Sequence, residues 1–152
     1  YRLPFESEWS YAASVAKRTA KARYPWEGVF PPTFKSGNFA DNSAFKLLPA
    51  IISSYTDGYP VSSPVKSFPA NNAGFYDLGG NVSEWCHDFY SPGINFSNTL
   101  EVDPMGPQKG THHVVRDSSW RDASITELRL SYRNYSRKPR DDIGFRVVRY
   151  AK

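Results

Sequence analysis

Residues 74–90 read GFYDLGGNVSEWCHDFY, and this stretch decides the fold. Its two consecutive glycines predict a tight turn, because glycine reaches backbone conformations that other residues avoid. The residues from Ser83 onward mix apolar and polar side chains in a pattern compatible with a β-strand. We therefore predict a turn that leads directly into a strand, with Asp77 before the turn and Glu84 after it.

The segments on either side of this stretch indicate an α+β fold with few regular elements and much ordered coil. Apolar residues from Trp9 to Ala20 recur at helical spacing, so we predict a helix that ends before Pro25. The apolar island at residues 47–52 fits either a short helical turn or a strand. Three further segments have strand-like patterns: residues 113–116, 128–132 and 143–150.

The composition indicates one globular domain over residues 1–152. Aromatic residues make up 16% of the chain, alongside 12 prolines and 10 glycines, which predicts irregular segments held by large side chains. The net charge of +4 is spread out, whereas nucleic-acid binding needs clustered basic residues, so no nucleic-acid partner is expected. No apolar run reaches the roughly 18 residues of a membrane helix, so no membrane span is predicted.

Cysteine and histidine content restricts the chemistry of the chain. Cys86 is the only cysteine, so neither an intrachain disulfide nor a cysteine-based zinc site is possible, and we interpret it as a buried packing residue. The adjacent residues His112 and His113 point to opposite faces of a strand and do not easily chelate one ion. We therefore expect surface or core histidines rather than a redox iron site.

Eight ordered segments resemble the formylglycine-generating enzyme (sulfatase-modifying factor) family. They are residues 1–4, 6–13, 24–26, 64–71, 74–78, 80–86, 119–120 and 144–146. The resemblance implies the family's variant of the C-type-lectin-like fold. Family domains usually carry a further segment before the first helix. We therefore expect that a preceding segment, an N-terminal partner chain or an oligomer completes the fold.

The turn at residues 77–84 is a candidate calcium site. Asp77, Gly80, Val82 and Glu84 can surround one ion with two carboxylates and two backbone carbonyls, and calcium takes such oxygen ligands from irregular loops. The resemblance implies the same four residues. The alternative is that Asp77 and Glu84 only cap turns through backbone N–H groups.

A second calcium site is implied by the resemblance. Its ligands would come from Asp41, Asn42, Asp57 and Tyr59, as two side-chain oxygens and two carbonyls. Asp41 stands where the family usually has asparagine, which also offers an oxygen. The alternative is a pair of Asx-turns. We therefore expect one or two structural Ca²⁺ ions.

The oxidase centre of the family is absent from this sequence. The resemblance places its two copper-binding cysteines at Asp122 and within residues 125–127, and neither place holds cysteine. Copper(I) favours thiolate ligands, which carboxylates do not replace. No copper and no formylglycine-generating activity are therefore expected.

The residues around the lost oxidase centre are a candidate ligand groove. Ser119, Trp120, Arg121 and Asp122 combine an aromatic surface with opposite charges, a mixture suited to a small molecule or peptide. The alternative is an ion-pair network of Arg121 and Asp122 with Glu127, Arg129 and Arg133. Arg146 is expected to pair with a carboxylate such as Asp141 or Asp142.

Three functions are compatible with this sequence. The first is a calcium-stabilised binding or scaffold module, which the missing cysteines and the calcium-loop residues favour. The second is a family enzyme that acts on an amino-acid side chain through a site without cysteine. The third is ligand display from residues 118–140. Dependence on calcium would favour an extracytoplasmic location.

Overall fold

The computed structural model of this chain describes residues 1–14, 23–92 and 102–150. One α-helix, α1 (Glu6–Ser14), precedes a 3-10 turn at Asn42–Ala44 and the strands β1 (Ser83–Phe89), β2 (His113–Arg116), β3 (Arg133–Ser136) and β4 (Ile143–Gly144). The strands form one sheet in the order β3-β2-β1-β4, in which only the β1–β4 pair is parallel. None of the helices in these ranges is long and apolar enough to span a membrane.

The first turn of α1 is capped from two sides. The Glu8 carboxylate accepts the backbone N–H of Phe5 at 2.8 Å, one half of a capping box. Asp88, from strand β1, accepts the backbone N–H of Glu6 at 2.5 Å. The predicted apolar face is confirmed at Trp9 and Ala13, which are buried. The rest of the predicted helix, residues 15–22, lies outside the described residues.

Strands β1 and β2 form the centre of the sheet, as their sequences predict. Glu84 lies opposite Arg116 in the antiparallel ladder, and the register is irregular between Trp85 and Phe89. Val114 is fully buried. Cys86 is also fully buried, which confirms its interpretation as a packing residue, and burial raises the pKa of its thiol far above the usual range.

The prediction of a strand at residues 128–132 is wrong. This segment is a series of turns in which the N–H of Tyr132 bonds to the Arg129 carbonyl, and the strand begins only at Arg133. Leu128 is buried because it packs into the aromatic cluster below rather than into a sheet. Alternating apolar residues therefore indicated burial here, but not strand pairing.

The strand predicted at residues 143–150 is mostly absent. Only Ile143–Gly144 pairs with β1, followed by an isolated bridge between Arg2 and Val148. Beyond Gly144 the chain departs from the ladder, and the Arg146 side chain reaches Glu84. At residues 47–52 the chain forms a turn, after which Ile52 makes an isolated bridge to Asp41.

Two apolar clusters form the core. The first contains mainly aromatic residues of the irregular half: Tyr24, Trp26, Phe39, Ile52, Tyr55 and Leu128. Tyr24 stacks on Trp26 with ring centroids 4.7 Å apart. The second joins α1 to the sheet: Trp9, Ala13, Leu78, Cys86 and Val114. The turn at residues 77–82 runs between the two clusters, because Leu78 belongs to one and Gly80 lies against Phe39 of the other.

A charged cluster also fixes α1 to the sheet. Glu6 accepts hydrogen bonds from Arg116 at 2.8 Å and from Arg133 at 2.6 Å. The Arg116 guanidinium is buried and lies 5.0 Å from the centre of the Trp9 ring. Burial alone would raise the pKa of Glu6, but hydrogen bonding to Arg133 and the charges of both arginines hold it below its ordinary value. The carboxylate is therefore ionised at neutral pH.

Candidate functional site

The turn at residues 77–82 has a backbone that few sequences tolerate. Asp77, Gly80 and Asn81 all have positive φ, of 52°, 93° and 70° respectively. A Cβ atom on Gly80 would lie 2.4 Å from the Asn38 carbonyl oxygen, so only glycine fits without displacement. Asn81 holds the turn in place, since its N–H donates to the same carbonyl and its side-chain oxygen accepts the N–H of Ser63.

Glu84, a predicted calcium ligand, is engaged by other side chains. Its two carboxylate oxygens accept hydrogen bonds from Arg146 at 2.5 and 2.6 Å. One of them also accepts the indole N–H of Trp9 at 2.7 Å. The expected pairing of Arg146 with Asp141 or Asp142 is therefore wrong. Those carboxylates pair instead with Arg121 and Arg140.

Asp77, the other predicted carboxylate ligand at this turn, uses only one of its two carboxylate oxygens in hydrogen bonds. Its Oδ2 accepts the backbone N–H of Lys66 at 2.9 Å, and its carbonyl accepts Arg146 at 2.9 Å. Its Oδ1 is buried and has no hydrogen-bond partner among the residues that the structure describes. A buried oxygen without a donor fits a cation at this turn. Calcium coordination by Asp77, Gly80, Val82 and Glu84 stays a prediction. Glu84 is the least available of the four, because both of its carboxylate oxygens already accept hydrogen bonds.

The second predicted site places two aspartates next to each other. Asp41 is fully buried, and its carboxylate accepts the N–H groups of Ser43, at 2.7 Å, and of Asp57. Asp57 accepts the N–H groups of Phe39 at 3.0 Å and Tyr59 at 2.7 Å. The Asp41–Ser43 and Asp57–Tyr59 bonds have the spacing of Asx-turns, the alternative that the sequence left open.

The charges of this aspartate pair are not balanced by a base. Neither carboxylate is paired with arginine, lysine or histidine in the described part of the chain. Burial, with a further contribution from the charge of Asp41, raises the pKa of Asp57 to about 6. Of the two predicted carbonyl donors at this site, Asn42 lies exposed, and the ring of Tyr59 packs edge-on against Phe68.

A metal site built from side chains alone is not present in the described ranges. No three histidine, cysteine, aspartate or glutamate side chains converge there on one point. His113 instead stacks on Phe89, with centroids 4.2 Å apart, and His112 lies against Tyr135. Any cation at the two predicted sites would therefore take backbone carbonyls as well as carboxylates, which suits calcium.

The four residues of the predicted groove divide into two pairs. Ser119 and Asp122 turn inward: the N–H and hydroxyl of Ser119 donate to Asp122 at 2.7 and 2.9 Å, and burial raises the pKa of Asp122. Trp120 and Arg121 border an open cavity of about 450 Å³, which is also lined by Leu47, Leu48, Val61, Ser62 and Asp141. Ser119 and Asp122 are not among the residues that line this cavity, and a ligand groove formed by all four residues stays a prediction.

The alternative ion-pair network beneath the groove is also absent among the described residues. Arg121 pairs with Asp141 at 2.5 Å, and its guanidinium lies 4.4 Å from the centre of the Trp120 ring. Glu127 instead accepts the hydroxyl of Ser124 at 2.6 Å, within its own turn. Arg121 and Arg133 thus pair with carboxylates outside the predicted network, and Glu127 makes a local hydrogen bond instead.

Sequence reasoning missed one buried residue beside the first turn. Asp117 follows β2 directly, has a φ of 72° and is almost completely buried. Its Oδ1 accepts the N–H of Gly80 at 3.2 Å, so it touches the predicted calcium turn. The only signal in the sequence is an acidic residue immediately after an apolar strand, which is also common on surfaces.

The family model of the sulfatase-modifying factor enzyme 1-like domain matches residues 1–151. This chain belongs to the sulfatase-modifying factor family. The domain is 34% identical over 151 residues to a formylglycine-generating enzyme of Streptomyces coelicolor, an alignment that covers 97% of this chain and 46% of that enzyme. It thus spans less than half of the length of this curated relative.

Two further relatives have the same kind of domain. A mouse protein named inactive C-alpha-formylglycine-generating enzyme 2 is 37% identical over 95 residues, which cover 60% of this chain and 27% of that protein. The structure of PvdO from Pseudomonas aeruginosa superimposes with a TM-score of 0.70 and 28% identity, over 95% of this chain and 50% of PvdO. The predicted α+β fold of the sulfatase-modifying factor type is confirmed.

The glycine at the predicted calcium turn provides a test of this geometry in the sulfatase-modifying-factor domain. Gly80→Ala should destabilise the domain by at least about 3 kcal/mol, because it combines positive φ with contact against the Asn38 carbonyl. Gly74→Ala is the matched control, since Gly74 has a φ of 84° but open space around its Cβ position. It should cost only about 1–2 kcal/mol. Urea denaturation measures both, and equal losses would contradict the described packing.

Proposed function

We propose that this sulfatase-modifying-factor domain is a calcium-stabilised binding module without copper oxidase activity. The observation that carries the proposal is the adjacent pair of the fully buried Asp41 and the half-buried Asp57. Two carboxylates that share one site repel each other unless a proton or a cation lies between them. Their four backbone N–H donors offset part of the charge, and no base among the described residues pairs with either group.

Calcium fits this pair better than a side-chain base or a softer metal. The pair offers only hard oxygen ligands on irregular backbone, and calcium prefers such ligands. In the proposed site Asp41 and Asp57 supply carboxylate oxygens, and Asn42 and Tyr59 supply backbone carbonyls. The ion would hold together the 3-10 turn at Asn42–Ala44 and the loop that contains Asp57, two segments without a shared strand ladder.

Calcium should raise the melting temperature of the domain, and a chelator should lower it. A ligand that binds only the folded state, at about 100 times its Kd, stabilises a domain of this size by roughly 5–10 °C. The double variant Asp41→Asn/Asp57→Asn should lose the part of this response that comes from the site at these two residues. The control Asp103→Asn changes an exposed aspartate and should keep it. Differential scanning fluorimetry with and without EDTA measures the shift.

The same experiment separates calcium from a shared proton. The folded pKa of Asp57 is about 6, above the ordinary value of 3.8, so its protonated form contributes stability below pH 3.8 that is lost as pH rises through 6. In EDTA the melting temperature of the wild-type protein should show this loss, and saturating calcium should remove it. A melting temperature that calcium and EDTA leave unchanged at pH 7 would sink the calcium proposal.

Oxidation of cysteine by copper has no place in the proposed function. Asp122 stands where the family's first copper-binding cysteine is expected, and its carboxylate closes a turn with Ser119. The single cysteine, Cys86, is buried in the core between α1 and the sheet. Neither residue offers a second thiolate, and copper(I) needs soft ligands.

We expect no conversion of cysteine to formylglycine by this domain. The assay incubates the protein with a Cys-x-Pro-x-Arg sulfatase peptide and copper, and mass spectrometry follows the cysteine. The peptide should stay unmodified, as in a sample without protein. Turnover above that background would show that a different site performs the reaction, which is the alternative function of a family enzyme without the cysteine pair.

The binding surface in this proposal is the cavity beside Trp120. Leu47 and Val61 provide aliphatic walls, while the guanidinium of Arg121 lies over the indole. The Arg121 side chain is 42% exposed and that of its partner Asp141 is 66% exposed. Because such an exposed ion pair is weak, an anionic ligand can replace Asp141 as the partner of Arg121. A small molecule or peptide that combines an apolar part with an anionic group suits this combination.

Aromatic carboxylates are the direct probe of this cavity. Saturation-transfer NMR with benzoate and indole-3-acetate should detect binding to the wild-type protein. Arg121→Gln should abolish it, because the variant removes the exchangeable cation without changing a buried residue. Arg137→Gln changes an exposed arginine outside the cavity and should leave the signal intact. Equal signals from both variants would remove the cavity from the proposal.

A further inference from the structure

The segment of residues 145–150 has the sequence of a strand but lacks most of a strand's partners. It reads FRVVRY, which contains β-branched and aromatic residues and neither glycine nor proline. Phe145 and Val147 are 67% and 54% exposed, whereas Val148 is only partly exposed, as in a strand with one solvated face. The sheet nevertheless stops at Ile143–Gly144, just before this segment.

The backbone of the 145–150 segment has one free edge. Arg2 and Val148 exchange both of their backbone N–H to carbonyl hydrogen bonds, at 3.1 and 2.9 Å. In an antiparallel pair, the residues on either side of such a position direct their N–H and carbonyl groups to the opposite edge. There, the N–H and carbonyl groups of Val147 and Arg149 have no hydrogen-bond partner among the described residues. A row of unpaired backbone groups is a template for a further strand.

A cavity of about 890 Å³ beside this segment has room for the side chains of an added strand. Val147 and Val148 line it, together with Tyr11, Phe75 and Met105 from other parts of the chain. All of these except Val148 are exposed in the described structure. Exposed apolar side chains grouped around one cavity mark an interaction surface. The free backbone edge and the apolar surface therefore lie next to each other.

The charges of the segment indicate which kind of strand fits. Arg149 is exposed and pairs with no carboxylate among the described residues, whereas Arg146 is held by Glu84. The segment itself contains no carboxylate. A second copy of this chain, paired antiparallel about Val148, would therefore gather the arginines of both copies. A strand with a carboxylate opposite Arg149 gains a cross-strand ion pair instead.

We propose that residues 145–150 form a docking edge at which an extended acidic segment of another polypeptide adds as a strand. The backbone of the incoming strand pairs with Val147 and Arg149, and its apolar side chains enter the cavity beside Tyr11 and Met105. One of its carboxylates lies opposite Arg149. Such a partner accounts for a complete strand pattern in the sequence at a place where the sheet has ended. Neither predicted calcium site takes part in this docking edge.

Hydrogen–deuterium exchange of backbone amides in the full chain tests the docking edge. The probe is a short capped peptide in which valine alternates with threonine and the central threonine is replaced by glutamate. At millimolar peptide, exchange at Val147 and Arg149 should slow by at least about tenfold, because a hydrogen-bonded amide exchanges only after opening. The amide of Val148 already bonds to Arg2 and should change little. The same peptide with a methylated backbone lacks the N–H donors and should protect neither amide.

A charge reversal at Arg149 tests the preference for an acidic strand. Arg149→Glu should weaken binding of the glutamate peptide by roughly threefold or more, because like charges directly across a strand pair repel each other. It should strengthen binding of a peptide that has lysine in place of the glutamate. Arg137→Glu reverses an exposed arginine outside the segment and should change neither affinity. Fluorescence polarisation of the labelled peptides measures all four combinations.

Three results would overturn the docking edge. The first is exchange at Val147 and Arg149 that millimolar peptide leaves unchanged, or that is already slow without peptide. The second is equal protection by the methylated peptide, which would mean apolar contact without strand pairing. The third is exchange that slows as the concentration of the protein alone rises, which would make a second copy of the chain the occupant. None of these results bears on the response to calcium.

Discussion

The rest of the structure depends on the hydrogen bonds that the Glu84 carboxylate accepts from Trp9 and Arg146. This carboxylate lies on β1, directly after the glycine turn, and it binds the indole of Trp9 in α1 and the guanidinium of Arg146 near the C-terminal end. Three segments that are distant in sequence are thereby fixed to one buried group. Removing one partner would leave a desolvated charge, so each partner constrains the positions of the others.

Side-chain bonds of this kind are needed because the fold contains little regular structure. Its sheet is small, and long segments between residues 23 and 82 run without strand pairing except for one isolated bridge. In those segments side chains accept the backbone N–H groups that a ladder would otherwise satisfy. Asp41, Asp57 and Asn81 do so at three separate places along these segments. Two of these groups, Asp41 and Asp57, are carboxylates, and neither pairs with a base in the described part of the chain.

The sequence predicts the parts of this fold that local patterns encode. The turn and β1, strand β2 and the apolar face of α1 follow from glycine placement and from the spacing of buried residues. The errors arise where tertiary contacts decide. Leu128 is buried by an aromatic cluster, so its alternation resembles a strand without forming one. Arg146 leaves the predicted strand to reach Glu84, a partner 62 residues away that no local pattern specifies.

The same limit applies to the candidate site, where the sequence predicts the types of the residues but not their geometry. The predicted oxygen ligands are present as turn-forming groups, but the sequence did not show which oxygens already have partners. Asp122, which stands where the resemblance implies a copper-binding cysteine, is an example. Its carboxylate accepts both the N–H and the hydroxyl of Ser119, hydrogen bonds that a thiol would accept only weakly. A cysteine restored at this position would have to give up that turn closure. Where the resemblance implies a soft-metal ligand, the loop thus has a structural hydrogen-bond acceptor, while the glycine turn beside it contains hard oxygen atoms of the type that calcium prefers.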